Sequence, residues 1–322
     1  MTSVLFTTDT ELSFMLHRRG ASPLENLCIA VMGEVSDGAW GIGYQMQRLS
    51  EHGIKGVFFV EALSSYLFGI DVLKRVVAVI LEAGHEVQLH LHAEWLKWIE
   101  KDIVDTRRGL NLADLTFDDQ RRLLSLGLEA LVRAGAPRPT AFRAGNYGAN
   151  NDTLKALAHL GFTYDSSYNH PYLGASCHIC APDALNRPTR IEGVTEVPVT
   201  FFEDYPGHTR ALQLCAASAA ELKTVVDQSI AQQRPTTVIV SHCFELLNLR
   251  RTRANRMLLR RFDRYCEALA ARSSKIATAD FAKLSTMPNG NAAHVKPLKS
   301  SPARTAWRMI EQSVGTILYD RR

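Results

Sequence analysis

Val4-Leu5-Phe6-Thr7-Thr8-Asp9-Thr10-Glu11 runs from an apolar segment straight into two acids. Two later stretches repeat that construction: Val87-Gln88-Leu89-His90-Leu91-His92 and Val238-Ile239-Val240-Ser241-His242. Each is a short apolar run of the kind that forms a buried strand, and each ends on groups that bind metals or move protons. Strands that alternate with helices run parallel, so their C-terminal ends gather at one rim. Two acids and three histidines then converge on one mouth, which suits a hydrolase whose metal holds a water.

The sequence between these strands supplies the helices. Gly41 to His52 reads as a helix closed by Gly53, and Val57 to Val60 as a β-rich run. Asp71 to Ala83, stopped by Gly84, feeds the strand that ends in the histidine pair. Helices over 118–134, 151–160 and 219–232 feed strands at Thr140 to Phe142, Phe162 to Tyr164 and Thr237 to Val240. A further apolar run, Leu27 to Met32, follows a polar loop. About seven such units, with no glycine-rich phosphate loop after the first strand, favour an α/β fold built as a parallel (β/α)7-type barrel over a dinucleotide-binding sheet. The expected organisation is a barrel domain over 1–284, a polar linker over 285–301 and a C-terminal amphipathic tail helix over 302–322. That helix starts at Ser301-Pro302, a cap followed by proline, and sets Trp307, Ile310, Val314 and Ile317 on one face.

Composition narrows the function classes. The 322 residues are 46% hydrophobic, enough for one large core, and the formal charge of +4 is too mild to argue for nucleic acid. No apolar run approaches the ~18 residues of a membrane span, and the polar N-terminus lacks a secretory apolar region, so the expected compartment is the cytoplasm. Cys177-His178-Ile179-Cys180 has zinc-like spacing, but no second pair supplies the remaining ligands, so reduced thiols are expected there.

Asp9 and Glu11 lie two apart on an extended segment and can point the same way, one toward a metal and one toward a proton. His90 and His92 likewise share a strand face, and two imidazoles plus a carboxylate leave a coordination position open for water. Glu94 and His85 are spare candidates. His242 follows its strand where general acids often project. Thr116-Phe117-Asp118-Asp119-Gln120 also carries paired acids, but it opens a helix, where Thr116 caps and both acids favour the positive helix end. It is read as structural.

With these residues placed, the chain resembles the polysaccharide deacetylase (NodB-homology) family over about Val4 to Ala282. Members are metal-dependent enzymes that remove acetyl groups from N-acetylated sugars on a distorted barrel. The family's first motif, Thr-Phe-Asp-Asp-Gly, would correspond to Thr7-Thr8-Asp9-Thr10-Glu11, which makes Asp9 the catalytic base. Thr10 replaces the metal-binding acid, so Glu11 is the substitute ligand. The second motif normally has two histidines four apart; that spacing gives His90 and Glu94 here, with His92 between them. The metal ligands implied are Glu11, His90 and His92, with Glu94 as the alternative to His92. Phe142-Arg143-Ala144-Gly145-Asn146-Tyr147 looks like the family's arginine motif, in which Arg143 would orient the base and Gly145 would allow close backbone approach. Tyr164-Asp165-Ser166-Ser167 resembles the segment that closes the other wall of the groove and supports the catalytic histidine, with Asp165 as its candidate. Val240-Ser241-His242 matches the motif whose histidine is the general acid.

The resemblance implies a divalent metal cofactor, most simply zinc, although a carboxylate in the set also tolerates harder ions. Asn146, Tyr147, Trp95 and Trp98 would contact the sugar, with core packing at least an equal reading for either tryptophan. The expected partner is an N-acetylated sugar, nucleotide- or lipid-linked, as a precursor of bacterial surface polysaccharide. Seven arginines between Arg250 and Arg264 on an expected helix could meet a diphosphate, or form a solvated basic face. The tail helix could touch a membrane, the domain or a second subunit. Two alternatives stand beside this reading: a non-sugar amidohydrolase of the same fold, and a catalytically silent carbohydrate-binding relative.

Overall fold

The structure, a computed structural model, describes residues 1–99, 103–107, 109–181, 183–284 and 296–320. Its first strand, β1 (Thr2–Thr10), is buried along almost its whole length, as a strand covered on both faces must be. Chain order then gives α1 (Ile42–Glu51), β2 (Gly56–Glu61), α2 (Ile70–Glu82), β3 (Glu86–Leu91), α3 (Phe117–Arg133), β4 (Ala141–Ala144), α4 (Asn151–His159) and β5 (Tyr164–Asp165). After β5 come β6 (Thr189–Ile191), β7 (Val194–Glu196), the hairpin β8 (Phe201–Tyr205) and β9 (His208–Ala211), and α5 (Ala219–Ala231). The chain continues through β10 (Thr236–His242), α6 (Arg256–Ala270), β11 (Ile276–Thr278) and α7 (Pro302–Gly315).

The main sheet runs β10-β1-β2-β3-β4-β5-β7-β6, with β11 also on β1. Every pairing in it is parallel except β6 with β7. The sheet curls into a half-barrel, a distorted (β/α) barrel with a C-terminal helix. Residues 199–200 and 212–214 bridge from the β7 side to β10: Leu214 N–H donates to Val240 O, and Val240 N–H to Leu212 O. Side chains such as Leu89, Leu91, Leu124, Leu131 and Phe142 fill the layer between the sheet and its helices with almost no exposure.

Register fixes the rim. Asp9 pairs with His242, Glu61 with His90, and His90 with Arg143. The chemically distinctive residues of five strands thus gather at the C-terminal ends, with Asp9 opposite Phe59 and His90 two residues further along.

Several expectations require correction. The apolar run Leu27 to Met32, unassigned from sequence, is helical: Ser22 caps a turn at Pro23–Asn26 that continues through Leu27–Val31. No regular α-helix links β5 to β7 among the described residues; an irregular segment with a short turn at His170–Tyr172 does so. Of the expected linker, 285–295 lies outside the described residues, whereas Leu298 is buried and its neighbours hydrogen-bond along β8. The arginine-rich stretch is helical only from Arg256, and Arg261 within it is buried, donating to Leu214 O and Cys215 O. Thr116 does cap its helix, accepting from Asp119 N–H at 3.3 Å. Cys177 is buried and Cys180 exposed, both as free thiols.

Candidate active site

Two-residue alternation along β1 carries Asp9 and Glu11 to the same side of the strand end. Thr10 between them turns its hydroxyl back onto Thr8 O at 3.2 Å, so it offers nothing to a metal. Glu11 reaches His92 Nε2 at 2.6 Å and His90 Nε2 at 3.5 Å. Among the described residues, Glu11, His90 and His92 form a metal-competent cluster whose donor atoms all lie within 4.8 Å of one another.

Both imidazoles are oriented from behind. His90 Nδ1–H donates to Arg143 O at 2.8 Å, and His92 Nδ1–H to Glu94 at 3.0 Å. Each ring is thereby turned to present Nε2, the arrangement that metal-binding histidines use. Glu94 also accepts from the Asn146 amide, which makes it the orienting acid rather than a member of the cluster. Gly145 makes this packing possible: a Cβ there would stand 2.5 Å from His92 Nδ1.

The electrostatics of the trio fit a divalent cation. Burial alone would raise the Glu11 carboxyl, but the charges and hydrogen bonds of His92 and His90 hold it well below the ordinary range. Burial likewise disfavours a charged His92 ring, yet Glu11 and Glu94 hold its pKa well above the ordinary imidazole value. Positive charge is therefore favoured at this point, and a bound cation can replace the proton. The residues present fit one divalent ion.

The second half of the site faces this cluster. Arg143, fully buried, donates from Nη1 to Asp9 Oδ1 at 2.7 Å and to Thr7 at 2.9 Å. Its remaining nitrogens donate to Ser166 O and Oγ, and its guanidinium lies 4.3 Å from the Phe59 ring centroid. The other Asp9 oxygen, Oδ2, lies 3.9 Å from His242 Nε2. His242 keeps 23% of its side chain exposed. Burial depresses its pKa, but Glu245, Asp9 and Glu11 outweigh that and push it up to about 9. These groups line an open cleft whose far wall is Asn146, Tyr147, Tyr172 and Ser176.

The chain superposes on a putative polysaccharide deacetylase from Mycobacterium smegmatis with a TM-score of 0.55 at 18% identity, covering 88% of each chain. This is the polysaccharide deacetylase fold. Lower similarity extends to a family 4 carbohydrate esterase from Streptomyces lividans (TM-score 0.41, 12% identity, 87% of this chain and 92% of that one). A polysaccharide deacetylase from Bacillus cereus gives 0.41 and 12%, over 89% and 96%. No family model matches the sequence, and no curated protein does.

Within this deacetylase fold, two expected site residues fall elsewhere. Trp95 has no exposed surface; it packs among Phe14, Phe68, His17 and Trp98 and cannot stack on a sugar. Asp165 is equally buried and does not support His242. It accepts from Ser167 N–H and Oγ–H and pairs with Glu196. The acid beside His242 is Glu245, 3.8 Å from Nδ1 and accepting from the His242 backbone N–H at 3.2 Å. Gln213 adds a contact to the same Nδ1 at 3.4 Å. Glu245 lies three residues after the histidine, a spacing that could have flagged it in the sequence. Tyr172, 41% exposed and 5.2 Å from the Tyr147 ring, carried no such signal. Asn146 and Tyr147 both line the cleft, in left-handed backbone conformations at φ 54° and 56°. Two such residues in succession store strain of the kind found at functional sites.

Proposed function

We propose that the protein is a metal-dependent hydrolase that removes the acetyl group from an N-acetylated sugar. The observation that carries this reading is the pairing, in one cleft, of the Glu11-His90-His92 cluster with an Asp9–His242 couple. When bound, a divalent ion of the zinc class acidifies a water and polarises an amide carbonyl. Asp9, its Oδ1 fixed by Arg143, takes the proton of the attacking water through the oxygen left free. His242, cationic at neutral pH, donates a proton to the departing amine, and Glu245 and Gln213 set the orientation of its ring. The hydroxyl of Tyr147 is buried without a partner on the cleft wall, where it can bond substrate oxygen. Tyr172 offers the half-exposed aromatic face that a sugar ring stacks on.

The substrate class we favour is a nucleotide- or lipid-linked N-acetyl sugar destined for surface polysaccharide. The test is metal analysis of the purified protein together with acetate release from N-acetylated sugar nucleotides by wild type, Asp9→Asn and His242→Ala. Acetate release by wild type alone supports the mechanism. Equal release by all three proteins rejects it, and release from non-sugar acetamides only would move the substrate class.

A further inference from the structure

The tail helix docks the wrong way round for an ordinary amphipathic helix. Thr305 and Arg308 are buried against the domain, at 4% and 1% exposure. Arg308 donates to Asp204 Oδ2 at 2.7 Å and to Glu221 at 3.2 Å; Thr305 Oγ–H donates to Asp204 O at 2.8 Å. Arg261 reaches Glu311 at 3.1 Å, and the Gln312 amide donates to Cys215 O at 3.1 Å. These polar contacts fix the rotation of α7 about its axis. The opposite face then points outward, with Trp307 59%, Ile310 55%, Val314 41% and Ile317 57% exposed. A helix free to choose would bury that stripe and expose Arg308, since burying ions is costly and burying isoleucine is favourable. Here charged partners inside the domain, Asp204 and Glu221, specify the reverse.

We infer that this outward face binds the surface of an anionic lipid bilayer. Charge complementarity selects that occupant. Exposed Arg304 flanks the stripe within α7, and Arg253 adjoins its C-terminal end, donating to Leu318 O at 2.7 Å with its guanidinium 5.5 Å from the Tyr319 ring. Arg250 and Arg260 are exposed as well, whereas Arg256 is paired with Asp37 at 3.0 Å. An apolar stripe edged by arginines, with a tryptophan in it, matches the interface between acyl chains and anionic headgroups. A second copy of the chain fits less well, because an antiparallel two-fold pairing of this helix would set Arg304 of one copy against the basic C-terminal end at Arg253 of the other. No helix among the described residues is long and apolar enough to cross a membrane, so α7 would lie in the interface plane. The basic segment also starts beside the cleft: Arg251 covers the Phe244 ring at 4.0 Å, and Phe244 stacks on His242 at 5.4 Å.

The test is co-sedimentation of the full chain with vesicles of phosphatidylcholine alone and of phosphatidylcholine with phosphatidylglycerol, which requires no substrate. Wild type should sediment with the anionic vesicles, and binding should weaken as salt rises from about 0.05 M to about 0.5 M. The triple variant Trp307→Ser, Ile310→Ser, Ile317→Ser alters only exposed positions and should keep the thermal midpoint while losing about tenfold or more in partitioning. Arg253→Glu with Arg304→Glu should abolish the preference for anionic lipid. Absence of wild-type sedimentation with either vesicle at low salt overturns the inference. So does a lipid-free dimer, seen by light scattering, that the triple variant dissociates.

Discussion

Replacing Glu245 with glutamine tests the proton donor most directly. The carboxylate lies 3.8 Å from His242 Nδ1 and is the first of the groups that raise the His242 pKa, which stands at about 9. At that separation the charge–charge attraction is about 1 kcal/mol in a water-like medium and about 4 kcal/mol at an effective dielectric of 20. The ring is 23% exposed, so the lower part of that span applies, and about 1.4 kcal/mol corresponds to tenfold in proton affinity. A general acid works only while protonated. Turnover in the wild type should therefore hold through neutral pH and decline as pH rises through about 9. Glu245→Gln keeps the shape and an acceptor for Gln213 and Cys215 while removing the charge. Its alkaline limb should move down by about one pH unit, with kcat on the acid side of the limb little changed. The assay is acetate release under saturating substrate at stepped pH, with circular dichroism confirming the fold. An alkaline limb that stays in place in Glu245→Gln, with the fold intact, would refute the assignment of His242 as the titrating donor.

Three further outcomes follow from the geometry. Gly145→Ala drives a methyl group into His92, so divalent-metal affinity should fall about 10–100-fold, read by competition with a chromogenic chelator, with only a modest change in thermal midpoint. Arg143→Met removes the buried cation held against Asp9 and should lower unfolding free energy by about 3–5 kcal/mol in urea titrations as well as removing activity. Glu196 is raised well above the ordinary carboxyl range by burial and by Asp165, so the folded state retains a proton that the unfolded chain releases. Stability conferred by that proton is present at acid pH and declines as pH rises above the unfolded carboxyl value; Glu196→Gln should flatten that decline, measured as urea midpoints at stepped pH.

The parts of the fold that were legible in the sequence are those governed by local periodicity. β1, β3 and β10 are short apolar runs with chemistry at their C-terminal ends, and α3 announces itself through Thr116 and two acids in its first turn. The segment Leu27–Val31 was ambiguous because a buried helical turn and a buried strand have the same unbroken apolarity at that length. Trp95 shows a different limit. Aromatic residues near a catalytic motif serve equally as a platform or as packing, and only Phe14 and Phe68, distant in sequence, decide that this one is enclosed. The orientation of α7 was hidden for the same reason, since Asp204 and Glu221, which capture Arg308, lie about a hundred residues away.

In the proposed metal site, Thr10 stands where the resembled motif carries an acid, and Glu11 can take over that role. An acid at position 10 would project from the strand one residue earlier than Glu11 does. Glu11 instead follows the last residue of β1, stays on the Asp9 side, and has one more methylene with which to reach His90 and His92. Glu94 stands where a histidine four residues after His90 would be, and it serves the site indirectly by accepting from His92. The two departures compensate each other. His92 is two residues from His90 and therefore on the same face of the extended chain, and it needs an acceptor behind Nδ1 to hold its ring; Glu94 is that acceptor, with Gly145 leaving room for the ring. Glu94→Gln, which keeps an acceptor, should therefore retain metal binding better than Glu94→Ala. Equal losses in the two variants would mean that Glu94 acts through its charge and not by orienting His92.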